Sequence, residues 1–96
     1  MISTLKKAAI EAGKILRDNF GGKYEITSKI VASNLVTEID KLSEKKIIEV
    51  IREDFPGHYI LSEEAGELKQ DLEFKWLIDP IDGTVNYAHS IPITCV

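Results

Sequence analysis

Asp79 and Asp82 stand three residues apart directly after the apolar run Trp76-Leu77-Ile78, with Pro80 between them and Gly83-Thr84 just beyond. A buried strand ending there delivers two carboxylates into a turn that Pro80 restricts. Two acids held so close repel each other unless a cation lies between them, and ligation by oxygen alone suits a hard ion, Mg²⁺ or Mn²⁺. Gly83 has no side chain to keep a ligand away, and the amides of Gly83 and Thr84 can open onto an oxyanion where a helix begins. Asp, Pro, Gly and Thr are also the residues of an ordinary strand-to-helix turn. The apolar run that buries the first acid weighs toward a site. The spacing lacks the alternate acids and distant glutamate of an EF-hand, so calcium sensing is disfavoured.

A second acidic group follows the apolar Tyr59-Ile60-Leu61 as Ser62-Glu63-Glu64. Adjacent side chains on a strand point to opposite faces, so one glutamate at most reaches a shared ion. Glu63 is the choice and Glu64 the secondary candidate. The competing reading is a charged helix start with Ser62 as its N-cap. The third group is Asn34-Leu35-Val36-Thr37-Glu38-Ile39-Asp40, in which Thr37 and Asp40 have the spacing of a capping box. In a functional role Asp40 sits at a helix N-terminus, where a carboxylate stays ionised and can hold a water as acceptor. Lys29 is a secondary candidate for a phosphate contact, weighed against a solvated lysine. His58 and His89 have no partner at useful spacing and are not taken as catalytic, while Trp76, Phe55 and Tyr87 read as core residues.

Several elements must position these groups. Leu5, Ala8, Ala9, Ala12, Ile15 and Leu16 recur at helical spacing over residues 4–20, and Gly21-Gly22 stops that helix. Its small residues Ala8, Ala12 and Gly13 allow close approach of another element. Residues 24–31 alternate loosely and predict a strand. A second helix is expected from near Thr37, its apolar stripe running through Ile39, Leu42, Ile47, Val50 and Ile51, with Glu44, Lys45, Glu49 and Arg52 facing water. Pro56-Gly57 ends it. Tyr59-Ile60-Leu61 and Trp76-Leu77-Ile78 predict buried strands, residues 66–75 between them a polar surface loop, and residues 91–96 a further strand. A strand stopping at its last residue exposes backbone groups that want a partner, so a further portion, in this chain or supplied by another, is expected.

The 96 residues bound one domain, and a hydrophobic share of 44% with 29% charged residues is that of an ordinary globular protein. The formal charge of −4 is spread along the chain, without a basic block able to neutralise a phosphate backbone, which counts against nucleic acid as a partner. No apolar stretch approaches the roughly 20 residues that cross a bilayer, and the N-terminus lacks the pattern of a signal peptide. A cytoplasmic location is the expectation. The single cysteine, Cys95, leaves no internal disulfide and reads as a buried, inert thiol.

Taken in order, Asn34-Leu35-Val36-Thr37-Glu38-Ile39-Asp40, Ser62-Glu63-Glu64 and the segment from Trp76 through Asp79-Pro80-Ile81-Asp82-Gly83-Thr84-Val85-Asn86 to Tyr87 resemble the successive motifs of the inositol monophosphatase family. The resemblance covers residues 29–96. Ile81, Thr84 and Asn86 look closer to inositol monophosphatases than to fructose bisphosphatases or bisphosphate nucleotidases. It implies that Glu63, Asp79 and the carbonyl of Ile81 hold one magnesium, and that Asp79 and Asp82 supply part of a second. It also implies that Asp40 and Thr84 form a hydrogen-bonded pair which, with Glu63, positions and activates a water. The phosphate would lie against Ile81, Asp82 and the amides of Gly83 and Thr84. Asn34 stands where the family has an acid and Tyr87 where phenylalanine is usual; neither is a proposed ligand. The family's later Trp-Asp motif, last metal carboxylate and second half have no counterpart in these residues.

The expected fold is therefore an α/β lobe of the α+β kind from the sugar-phosphatase superfamily. Two helices pack on a mainly antiparallel sheet, and residues 1–96 form the N-terminal metal-binding portion of an inositol-monophosphatase-like domain. The expected function is magnesium-dependent hydrolysis of a small phosphate monoester, incomplete in this chain, with a homodimer or a complementing C-terminal portion as the expected protein partner. The alternatives are a catalytically silent fragment serving as a subunit or assembly piece, and a phosphatase of the bisphosphate nucleotidase or fructose bisphosphatase type.

Overall fold

The computed structural model of the chain describes residues 1–21, 26–28, 35–63, 65–68 and 71–96. Helix α1 spans Ile2–Asn19 and buries Thr4, Ala8, Ala12 and Leu16, a strict four-residue spacing that makes one narrow stripe. It ends where Phe20 turns extended and Gly21 takes a φ of +73°. Strands β1 (Ile26–Ser28) and β2 (Leu35–Thr37) pair antiparallel, with Ile26 opposite Thr37. Helix α2, Glu38–Asp54, follows β2 without a break. Arg52 closes its far end by donating to the carbonyls of Pro56 at 2.9 Å and His58 at 2.7 Å.

The second sheet has the order β4-β3-β5, from β3 (His58–Ser62), β4 (Gly66–Leu68) and β5 (Asp71–Ile78). β3 pairs antiparallel with β4 and parallel with β5, so this sheet is mixed, and two of the three strand pairings among the described residues are antiparallel. The short β4 carries the chain back, which lets two parallel strands lie side by side without a crossover helix. A five-residue helix, α3 (Thr84–Ala88), follows the turn after β5.

The core joins both helices to this sheet. Ala8 and Ala12 of α1 meet Ile47, Val50 and Ile51 of α2, with Ile60 of β3 and Ile78 of β5 beneath them. Ala12, Ile51 and Ile60 are fully buried, and burying each isoleucine contributes about 1.5–3 kcal/mol. A second cluster of Leu16, Ile39, Ile81 and Tyr87 ties α1 to the starts of α2 and α3. Tyr87 donates its hydroxyl to the Leu16 carbonyl at 2.8 Å and sets its ring edge-on to Phe20. Thr4 donates to Asp54 at 2.6 Å, pinning the two long helices at their other end.

Several sequence expectations are corrected. Residues 66–75 are not a loop: β4 and most of β5 lie there, with Lys75 set over the Tyr59 ring at 5.1 Å to its centroid. Residues 91–96 form no strand, and among the described residues their one ladder contact is an isolated bridge between Cys95 and Asp82. Leu5, Ala9 and Leu42 are exposed, and Ser43 takes the buried place on α2 that the stripe assigned to Leu42. Among the described residues no other element comes within 4 Å of where a Cβ on Gly13 would stand, whereas Ala8 and Ala12 pack in the core. Trp76 and Phe55 are half-buried at the rim, where the Trp76 indole donates to His58 Nδ1 at 3.0 Å. Of the strand expected over residues 24–31, Ile26–Ser28 is present and the rest lies outside the described residues. Among the described residues, no helix is long and apolar enough to cross a membrane.

Candidate active site

The parallel register of β3 and β5 pairs Ser62 with Ile78, so Glu63 and Asp79 each come one residue past a paired position, at the carboxyl ends of adjacent strands. Neighbouring strands lie about 4.8 Å apart, and the carboxyl ends of strands are where open α/β sheets present ligand-binding groups. The Glu63 amide donates to the Ile78 carbonyl at 3.1 Å, which extends the ladder up to the site. Both acids are exposed and line one open cleft together with Leu61, Ser62, Gly66, Leu77 and Ile78. Ser62 belongs to β3 and caps no helix, since the chain turns directly into β4.

Past Ile78 the chain turns through Asp79-Pro80-Ile81-Asp82-Gly83 into α3, so the strand-to-helix reading of these residue types is also met. Pro80 and Ile81 are buried, which anchors the turn while Asp79 and Asp82 stay exposed on either side. Gly83 has a φ of +88°, and a Cβ there would meet the Ile93 carbonyl at 3.0 Å. The position thus demands glycine twice, by backbone conformation and by the approach of residues 93–94. Asp82 exchanges two backbone hydrogen bonds with Cys95, at 2.7 and 3.1 Å.

Asp40 is only 2% exposed near the start of α2 and accepts a hydrogen bond from Thr84 Oγ1 at 3.0 Å. The same hydroxyl lies 3.2 Å from the Ile81 carbonyl. The structure therefore brings together Asp40, Thr84 and Ile81 in one group and Glu63 with Asp79 in another, with Asp82 and Gly83 in the turn that joins them. Lys29, Asn34 and Glu64 lie outside the described residues, as does the Thr37 side chain that the capping box requires. Cys95 is exposed rather than buried, and its thiol points at Asp82 Oδ2 from 3.5 Å. That hydrogen bond, then desolvation and the charges of Asp82 and Asp79, push the thiol above its ordinary pKa.

Two further residues of α2 reach this region: Ser43, which the sequence left unassigned, and Glu44, which it set facing water and which is half-buried. Ser43, fully buried, donates to the Pro80 carbonyl at 2.8 Å. Glu44 accepts from the Ser62 hydroxyl at 2.7 Å and from the Ala65 amide at 2.9 Å. No local pattern marks them, because their partners are 18 to 37 residues away along the chain.

The donors gathered here are carboxylate and carbonyl oxygens, the ligand type of a hard divalent cation. Among the described residues no three His, Cys, Asp or Glu side chains gather closely enough to hold an ion by themselves. The set fits Mg²⁺ in kind and would supply part of a coordination shell.

The whole chain, residues 1–96, matches the family model described as the inositol monophosphatase family. It is 45% identical over 91 residues to an inositol-1-monophosphatase from Synechocystis sp., covering 94% of this chain and 32% of that one. It is 40% identical over 96 residues to a fructose-1,6-bisphosphatase/inositol-1-monophosphatase from Aquifex aeolicus, covering 99% of this chain and 36% of the other. Among solved structures, the extragenic suppressor protein suhB from Bartonella henselae superposes with a TM-score of 0.92 at 29% identity, over 97% of this chain and 37% of that chain. The chain thus spans about a third of the length of the curated relatives it matches. With the family model matched from end to end and the same fold seen in the solved relative, the chain belongs to the inositol monophosphatase family.

Proposed function

We propose that this chain supplies the N-terminal part of the active site of a magnesium-dependent phosphate monoester hydrolase. The observation that carries the reading is the parallel register of β3 and β5, which sets Glu63 beside Asp79 at the strand ends, with the turn after Asp79 leading to the Asp40–Thr84 hydrogen bond. Glu63, Asp79 and the Ile81 carbonyl would hold one Mg²⁺, and Asp79 and Asp82 would contribute to a second. Bound there, Mg²⁺ supplies Lewis-acid charge to a phosphoryl oxygen and makes a coordinated water more acidic.

The protein's own groups supply orientation and a proton path. Thr84 Oγ1 carries one proton, and donating it to Asp40 Oδ2 leaves its lone pairs free to accept from a water. Thr84 Oγ1 and Glu63 would be the groups that hold such a water, and Asp40 keeps the Thr84 hydroxyl turned so that it can accept from it. The amides of Gly83 and Thr84 and the groups of Ile81 and Asp82 would receive the phosphate oxygens. The names of the relatives support a small polyol or sugar phosphate as substrate, an inositol phosphate in one and a fructose bisphosphate as well in the other.

The test is calorimetric titration of Mg²⁺ and Mn²⁺ into the chain and its Asp79→Asn variant. Asp79 is assigned to both ions, so the variant should bind tenfold or more weakly, the scale on which metal-site changes act, at about 10–100-fold. Equal affinities in the two proteins would refute the site.

A further inference from the structure

Glu63 is held from two directions. Its amide is tied to Ile78 of β5, one residue before Asp79. From the other side, α2 extends Glu44, whose single oxygen Oε2 accepts from Ser62 Oγ at 2.7 Å and from the Ala65 amide at 2.9 Å. These donors bracket Glu63 in the chain, immediately before it and two residues after it. Ser62 is buried and Glu44 half-buried, so the contact is shielded from bulk water on one side. A carboxylate accepting two hydrogen bonds holds its donors about twice as firmly as a neutral acceptor does.

Glu44 also follows Asp40 by one helical turn, and residues four apart share a helix face. One turn of α2 thus reaches three site segments: Asp40 holds Thr84, Ser43 holds the Pro80 carbonyl, and Glu44 holds the Glu63 turn. We infer that Glu44 is a positioning residue that sets Glu63 beside Asp79 for the metal, by clamping the β3–β4 turn at Ser62 and Ala65. This rests on the metal-binding reading of Glu63. Glu44 is assigned no ligand role, because its Oε2 is already engaged with Ser62 and Ala65.

The clamp needs an acceptor at the Oε2 position, and a glutamine retains one at lower strength, whereas alanine leaves both donors without it. Mn²⁺ titration of the 96-residue chain, read by paramagnetic relaxation, is compared with hydrogen exchange at the Ala65 amide, which reads the clamp without metal. Glu44→Ala should weaken Mn²⁺ binding by about tenfold or more, the range for residues that orient a ligand, and speed Ala65 exchange. Glu44→Gln should restore most of both. Ser62→Ala, which leaves Glu44 in place and removes one donor, should weaken Mn²⁺ binding in the same direction, so a poorly folded Glu44→Ala does not decide the matter.

Wild-type Mn²⁺ affinity in folded Glu44→Ala or in Ser62→Ala, or unchanged Ala65 exchange in Glu44→Ala, overturns the inference. A role in stability alone would lower the unfolding midpoint and leave the affinity of the folded variants at the wild-type value. Failure of the unsubstituted chain to bind Mn²⁺ would instead overturn the metal reading itself, while Ala65 exchange still shows whether Glu44 holds the turn.

Discussion

Thr84 has one hydroxyl proton and two acceptors within reach, Asp40 Oδ2 at 3.0 Å and the Ile81 carbonyl at 3.2 Å. The charged acceptor takes the shorter contact, and charge-assisted hydrogen bonds are the stronger kind. In the completed enzyme Thr84→Ala should lower turnover by about 10² or more, the scale of general-base effects, with metal affinity nearly unchanged. Steady-state kinetics beside metal titration checks both halves; turnover within threefold of wild type would leave Thr84 with only a role at the start of α3. Gly83 gives a stability prediction. Alanine at its φ of +88° meets the Ile93 carbonyl, so Gly83→Ala should cost about 1–3 kcal/mol, the cost of holding such a conformation, in urea unfolding. Loss below 0.5 kcal/mol would mean that the turn relaxes freely. The positions of Glu63 and Asp79 at strand ends and of Asp40 at a helix start were legible at this scale, because the first two come after apolar runs and the third opens an amphipathic stretch. Glu44 was not, because a glutamate on an amphipathic helix reads as solvated until the fold brings Ser62 and Ala65 to it.

Helix α2 is the element on which the arrangement depends, since its first turns touch all three site segments while Ile47, Val50 and Ile51 anchor it in the core. Ser43 is the buried link to the turn after β5, and Ser43→Ala would leave the Pro80 carbonyl without this donor. The substitution should destabilise the chain by about 1–3 kcal/mol, as expected for a buried acceptor losing its partner. Thermal or denaturant unfolding measures this, and a neutral result would show that water replaces the hydroxyl. Periodicity located both long helices but misplaced single residues: it put Leu42 inside because leucine is apolar, whereas Ser43 is buried because it bonds to Pro80. Both apolar strands were legible in type. The first part of β5 was not, because Asp71, Glu73 and Lys75 give it a polar pattern although its backbone pairs with β3. Residues 91–96 carry a strand-like pattern, yet Asp82 is their sole ladder partner among the described residues.

At the scale of the molecule, apolar surface and the site share one side. Leu77 is 73% exposed and Leu5 57%, and together with Ala9, Val96 and Asp79 they border one cleft. A contiguous apolar patch beside polar groups marks a surface that another element covers, which single exposed leucines do not. The chain spans about a third of its relatives' length, and on the proposed assignment Asp79 and Asp82 are all that it would contribute to a second ion. A loosely placed ion stabilises a leaving oxygen poorly, and misplacement of about 1 Å costs on the order of 10²-fold in rate. The most direct measurement is magnesium-dependent phosphate release from inositol 1-phosphate. It is assayed for the 96-residue chain alone and for the chain joined to, or mixed with, the remaining portion of an inositol-monophosphatase-family protein. Release at an enzyme-like rate is predicted for the completed protein only, with loss on Asp82→Asn. A folded, metal-loaded completed protein that releases no phosphate would contradict it, as would magnesium-dependent hydrolysis by the 96-residue chain alone that disappears on Asp82→Asn.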